Sequence, residues 1–187
     1  YSGSDRSYTQ PAKVIGDRSA PNYFLTNTGK REYNVAAQLE KHFNPKWEMK
    51  LYYSLFNTEI AILRGSHIGN LTDLEDAIER DLPFFTEDKF SYTINEPRQT
   101  VQHHLLKLES NHIFNEHQSL SIKYGGQVNN RKEFDVRRAD RSDLPALSLL
   151  QWDQYLEGVY KHFFDHDRQL KTGVQVRLTD NTNNPET

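Results

Sequence analysis

Five stretches of the chain alternate apolar and polar side chains. Because side chains on a strand point to opposite faces in turn, each stretch separates into two lists. The apolar lists are Tyr33, Val35, Ala37, Leu39; Trp47, Met49, Leu51, Tyr53, Leu55; and Leu120, Ile122, Tyr124, Val128. Two more follow: Leu150, Trp152, Leu156, Tyr160, Phe164, and Leu170, Val174, Val176, Leu178. Their partners are polar, among them Glu32, Asn34, Gln38, Glu40; Glu48, Lys50; Lys123, Gln127, Asn129, Arg131; Asp153, Glu157, Lys161; and Lys171, Gln175, Arg177. A further, weaker strand leads down from about Phe90 to Phe114, with Leu106, Leu108 and Phe114 on one face and His103, Lys107 and Glu109 on the other. Leu105 breaks its alternation, and Pro97, which cannot donate to a ladder, predicts a bend or a new start there.

The links between these stretches are alternately short and long. Asn44-Pro45-Lys46, Asn115-Glu116-His117-Gln118 and Asp165-His166-Asp167-Arg168 are rich in turn formers and read as hairpin loops. The other links run from about Arg64 to Lys89 and from Lys132 to Ala146. Outer-membrane barrels have short periplasmic turns and long extracellular loops, so the alternation assigns a side to each link. The expected fold is all-β: an antiparallel up-and-down meander of about six strands, one partial segment of a transmembrane β-barrel. The longest loop carries its own helix, for which Thr72-Asp73-Leu74-Glu75 reads as a capping box, Leu71, Leu74 and Ile78 share a face, and Pro83 marks the end.

Bulk composition changes this picture little. No run of about eighteen apolar residues exists, which excludes a transmembrane helix but not a barrel, where only every second residue meets lipid. A net charge of −3 argues against a nucleic-acid partner. The absence of cysteine removes disulfide and thiolate-metal readings. The chain opens on Tyr1-Ser2-Gly3-Ser4 in loop-like composition and closes on Asp180 to Thr187, read as a loop entry. Residues 1–187 are therefore expected to be one partial barrel domain, with open edge strands at both cuts and a tendency to self-associate. The segment Asn22-Tyr23-Phe24-Leu25 reads as the stub of another strand in the preceding outer loop.

Three runs carry a family likeness: Arg64-Gly65-Ser66-His67-Ile68-Gly69-Asn70-Leu71-Thr72-Asp73-Leu74, then Pro97 to Leu108, then Tyr124-Gly125-Gly126-Gln127-Val128-Asn129-Asn130-Arg131 onward to Arg138. With Asp180 to Thr187 they resemble the middle of the barrel of TonB-dependent outer-membrane receptors, specifically the ferric-complex receptors of the Bacteroidetes type. The resemblance implies a barrel of about twenty-two strands plugged by an N-terminal domain. It implies uptake of an iron complex (siderophore, ferric citrate or haem) or a similar nutrient, with TonB acting through regions outside this fragment. Membrane lipid is then the other partner.

Such a receptor does no covalent chemistry and needs no cofactor. It captures an anionic complex, work that suits arginine, whose fork donates paired hydrogen bonds to carboxylates. Candidate ligand contacts are Arg64 and His67 at the mouth of the long loop, the inward-pointing Gln127, Asn129 and Arg131, and Arg137, Arg138 and Arg141 in the next loop. The competing reading makes Arg131, Glu133, Asp135 and Arg137 members of lumen-side charge ladders between neighbouring strands. Eight histidines invite a metal-site reading, but His103 and His104 point to opposite faces and cannot both hold one ion, while His162 and His166 straddle a strand end and a turn. His112 and His117 flank a short turn. No G-x-S-x-G, P-loop or H-E-x-x-H run supports an enzyme. Two rivals remain open, a passive porin-like channel and a soluble glycan-binding β-sandwich.

Overall fold

The structure, a computed structural model, describes residues 2–7, 24–25, 27–63, 70–79, 86–87, 92–136, 143–164 and 168–185. Nine strands and one helix follow in chain order: β1 (Ser2–Ser7), β2 (Phe24–Leu25), β3 (Gly29–Asn44), β4 (Trp47–Ala61), α1 (Leu71–Glu79), β5 (Thr86–Glu87), β6 (Arg98–Asn115), β7 (Gln118–Phe134), β8 (Leu147–Phe163) and β9 (Gln169–Pro185). Six of them, β3, β4, β6, β7, β8 and β9, form an antiparallel meander within one open sheet of order β1-β3-β4-β6-β7-β8-β9. Each of the six is 15 to 18 residues long. β2 and β5 pair with each other in a separate two-stranded ribbon.

The register brings the separate apolar lists into common rows. Leu39, Leu51, Leu108, Tyr124, Leu156 and Val176 stand opposite one another across six strands. The next row toward the long loops is Ala37, Tyr53, Leu106, Gly126, Gln154 and Leu178, followed by Val35, Leu55, His104, Val128, Trp152 and Asp180. A one-residue slip in any pair would send that strand's whole list to the other face. Six strands agreeing is therefore strong evidence that the pattern specifies the register. Gly126 leaves room for the ring of Tyr124: a Cβ there would lie 2.7 Å from the phenolic oxygen, so an aromatic ring covers the bare backbone.

This apolar face packs against nothing in the described chain. Leu39 is 68% exposed, Val174 68% and Leu178 65%, and Tyr33, Val35, Leu51, Tyr53, Leu106, Trp152 and Leu156 are also exposed. Among the described residues Ala61 and Pro97 are the buried aliphatic side chains. A sheet with one greasy face uncovered has no conventional core.

Apart from Asp153, burial among the described residues is gathered near the long-loop end. Asn27, Gly29, Thr58, Ala61 and Pro97 are buried there. Asn27 adopts a left-handed conformation (φ 55°), which asparagine tolerates better than most residues. Its Nδ2 donates to the carbonyls of Ile62 (2.8 Å) and Pro97 (2.9 Å), and its Oδ1 accepts from the Asn95 N–H (2.8 Å). Arg98 donates from Nη1 to Glu59 Oε1 (2.8 Å) and from Nε to Glu96 Oε1 (3.1 Å), with its guanidinium 4.0 Å from the centre of the Phe134 ring. These contacts pin both feet of the long β4–β6 connection.

At the opposite end the hairpins share a construction. Asn44 Oδ1 accepts from the Lys46 N–H (2.8 Å) and Asn115 Oδ1 from the His117 N–H (2.9 Å), the side chain closing the turn in each case. The ladder shifts register just before both turns, between His42 and Asn44 and between Ile113 and Asn115, leaving Phe43 and Phe114 as the extra residues.

Four expectations need correction. Ser2–Ser7 is a strand paired with Gly29–Asn34, not a loop; its run of small and charged residues carries no alternation by which to see it. Asp180 to Pro185 continues β9 rather than entering a loop, because Leu147 to Trp152 offers it a template. The sixth strand begins at Arg98, a new start directly after Pro97 as the proline predicts, so its expected beginning near Phe90 is wrong: residues 92–95 are not strand. The helix starts two residues earlier than its Thr72 signal. Asn70 is the cap, its Oδ1 accepting from the Asp73 N–H (2.9 Å) and its Nδ2 donating to Asp73 (3.0 Å). Leu71, Leu74 and Ile78 share the helix but remain exposed. Phe24–Leu25 is a strand, and its partner Thr86–Glu87 lies in the long loop.

Candidate functional site

The second face of the sheet is polar, and its rows are laid down by the same register. Across β3, β4, β6, β7 and β8 runs Glu40, Lys50, Glu109, Lys123, Glu157, alternating in sign at every step. Opposite charges directly across a strand pair are mutually favourable, and a row in which every neighbour is opposite specifies pairing better than any single ion pair. Lys50 Nζ lies 3.5 Å from Glu40 Oε1, and Tyr155 donates to Glu157 (2.6 Å). A shallow hollow of about 320 Å³ opens over this row, lined by Gln38, Lys50, Tyr52, Leu105, Lys107 and Glu109.

Two rows toward the long loops stand Ser54, Leu105, Gln127, Asp153 and Thr179. Asp153, 7% exposed, is the centre of the densest hydrogen-bond network on this face. Arg177 donates to both of its oxygens, Nε to Oδ1 (2.9 Å) and Nη2 to Oδ2 (2.7 Å). Thr179 donates to Oδ1 (2.7 Å) and Gln127 Nε2 to Oδ2 (3.1 Å). Gln127 Oε1 in turn lies 3.2 Å from His103 Nε2. The network thus links β6, β7, β8 and β9. Every acceptor position of Asp153 is engaged, so it serves to hold its neighbours. Arg177 is held by a two-pronged pair while its own side chain stays 62% exposed. An arginine has five donors in a rigid fork, and two are used here; the others face away from Asp153. That is an oriented cation with donors to spare for an anionic group.

Of the residues singled out from the sequence, Gln127, Asn129 and Arg131 do share this polar face. Gln127 is committed to Asp153 and His103. Arg131 pairs with Glu133 two residues along β7, and the side-chain oxygen of Gln99 on β6 accepts from the same guanidinium. Asn129 sits in the row Asn34, Phe56, His103, Asn129. The Oδ1 atoms of Asn34 and Asn129 and the Oγ1 of Thr58 are buried and have no hydrogen-bond partner among the described residues. Arg64, His67, Arg137, Arg138 and Arg141 lie outside the described residues.

Asp153, Arg177, Thr179 and His103 were not singled out. Asp153 and Arg177 already stand in the polar lists, and hairpin arithmetic pairs residues equidistant from His166, which sets Asp153 opposite Thr179. Leu105, the residue that breaks the alternation of β6, is a leucine on the polar face between Ser54 and Gln127.

No protein-family model, curated protein or solved structure matches the chain. No helix among the described residues is long and apolar enough to cross a membrane, which says nothing of strands.

Proposed function

We propose that this chain is part of the barrel wall of a TonB-dependent outer-membrane receptor that takes up iron complexes or similar nutrients. The observation that carries the membrane part of the reading is the continuous, uncovered apolar face of six long strands. An apolar patch of this extent on a water-soluble monomer would be an association hazard, whereas lipid is its natural cover.

The dimensions agree with a bilayer. The apolar list on β7 spans Leu120 to Val128, about 26 Å at ~3.3 Å per residue, or about 20 Å along the normal of a strand tilted ~40°. The lipid-facing band of such barrels is about 25 Å tall. Aromatic rings mark its edges, as they do at membrane interfaces. Toward the hairpin turns stand Phe43 and Trp47, stacked at 4.1 Å between centroids, with His112 and Phe114 in edge contact at 4.7 Å. His162 and Phe164 meet in the same way at 4.5 Å. Trp152 and Tyr33 lie toward the long-loop end. Beyond that edge the same face turns polar, with Arg31, Glu59, Thr100, Lys132 and Ser148 in one row.

The iron-complex and TonB parts of the reading rest on the sequence resemblance, supported by the polar inner face and its oriented Arg177. A soluble sandwich needs two sheets packed on their apolar faces. The single uncrossed sheet of the meander gives it no support. Cell-envelope fractionation of the whole protein, with electrophoretic mobility compared before and after boiling, tests the membrane part. Outer-membrane location with heat-modifiable migration is expected. Uptake of labelled ferric complex tests the rest. Loss of uptake on collapsing the proton-motive force is expected for a TonB-coupled receptor, and uptake indifferent to it would indicate a passive channel.

A further inference from the structure

The turn-side end of the polar face carries a cluster that neither the proposed receptor nor its ligand accounts for. Glu40 and His42 alternate onto the same face of β3, and the tight Asn44–Trp47 hairpin sets Glu48 directly opposite His42. His42 Nε2 lies 3.1 Å from Glu40 Oε1, and its Nδ1 lies 3.7 Å from Glu48 Oε2. One donor atom from each of the three residues falls within 4.8 Å of the others.

We propose that Glu40, His42 and Glu48 bind a first-row divalent cation of the zinc class. A tetrahedral ion held at ~2.1 Å by nitrogen and oxygen donors keeps those donors about 3.4 Å apart. The two present contacts are made by opposite ring nitrogens, and with one atom per residue the three donors lie within 4.8 Å of one another, so the ring must turn to offer one nitrogen to the ion. One imidazole and two carboxylates is a donor set suited to such an ion and unlike the all-oxygen shells of calcium or magnesium. The side chains are half-exposed or exposed, so small rotations can bring one ring nitrogen and both carboxylates to a single point. Three protein ligands leave the fourth position for water or an incoming carboxylate.

The surroundings define how the site should respond. Asn111, across β4 on β6, donates from Nδ2 to Glu48 Oε1 (3.0 Å) and fixes that carboxylate from behind, as outer partners of metal ligands commonly do. Lys50 opposes the ion: its ammonium lies 3.5 Å from Glu40 Oε1 and must swing aside when the cation enters. The register shift between His42 and Asn44 borders the site, and bulges of this kind re-aim side chains beside functional groups.

Isothermal titration of the whole detergent-solubilised protein with Zn²⁺, and visible absorption on adding Co²⁺, read the site directly. One equivalent of metal bound with micromolar affinity is expected, with a visible cobalt band. His42→Ala and Glu48→Gln should each abolish both signals. Asn111→Ala should weaken binding about tenfold, and Lys50→Gln should tighten it severalfold. His117→Ala, at a neighbouring turn, should change nothing. Absence of binding, or binding that survives His42→Ala, would overturn the assignment, the second outcome placing the metal on other histidines. Normal heat-modifiable migration of each variant separates loss of the site from loss of the fold, so this result stands apart from the fate of the receptor reading.

Discussion

Leu105 and Leu106 are adjacent in sequence and point to opposite faces of the sheet, which makes them a matched pair for asking where the water is. Leu106 lies within the apolar band, three rows from that of Trp47 and one from that of Trp152, beside Tyr53 and Gly126, and is exposed. Leu105 faces the polar side and lines the hollow with Lys50 and Lys107. If lipid covers the apolar face, Leu106→Arg places a guanidinium inside the bilayer, one row or about 5 Å from its midplane, at a cost of about 2 kcal/mol, a factor of roughly thirty in the folding equilibrium. Leu105→Arg adds only repulsion from neighbouring lysines in a wet setting, about 0.2–1 kcal/mol. The assay is denaturant unfolding of the whole protein from lipid vesicles, followed by tryptophan fluorescence and by heat-modifiable mobility. Equal losses for the two variants, or a neutral Leu106→Arg, would refute the assignment of faces.

Asp153→Ala removes the anchor of Arg177, Thr179 and Gln127 and should lower stability by about 1–3 kcal/mol, seen as an earlier denaturant midpoint; an unchanged midpoint would mean the network contributes nothing net. Asn27→Ala loses three hydrogen bonds and leaves the Asn95 N–H and two carbonyls at the loop base without that partner. It should increase proteolytic nicking of the β4–β6 connection ahead of global unfolding, and nicking at the parental rate would contradict the clamp. Asn70→Ala should cost α1 about 1 kcal/mol of capping, read as lost helicity by circular dichroism in a peptide spanning the helix. The chain produced alone should sediment as oligomers, since β9 presents an unpaired edge along 17 residues. A monodisperse monomer would count against an open sheet.

The apolar lists of β3, β4, β7, β8 and β9 are readable one strand at a time because burial on one face imposes a period of two. Their assembly into common rows follows from the short turns, which fix register locally. The network around Asp153 is harder to see. Each of its residues is an ordinary member of a polar list, and only the register of two strand pairs brings Gln127, Asp153 and Arg177 together. The same holds for Glu40, His42 and Glu48, which are unremarkable in sequence until the hairpin folds. β1 stayed hidden because Ser2–Ser7 has no apolar face to declare, its strand state being imposed by pairing with β3. Helix α1 was recognisable, but Thr72 and Asn70 are both good caps two residues apart, and backbone context decided between them.

The most direct test of the membrane claim uses the two tryptophans of the chain. Trp47 and Trp152 sit four rows apart near opposite edges of the apolar band, about 20 Å along the bilayer normal for a tilted strand. Trp47→Phe and Trp152→Phe variants, reconstituted in vesicles containing lipids brominated along the acyl chains, isolate each ring in turn. Quenching of both by brominated lipid, with protection from a water-soluble quencher, is the predicted result. Both rings open to the aqueous quencher and untouched by bromine would contradict a sheet whose apolar face lies in lipid.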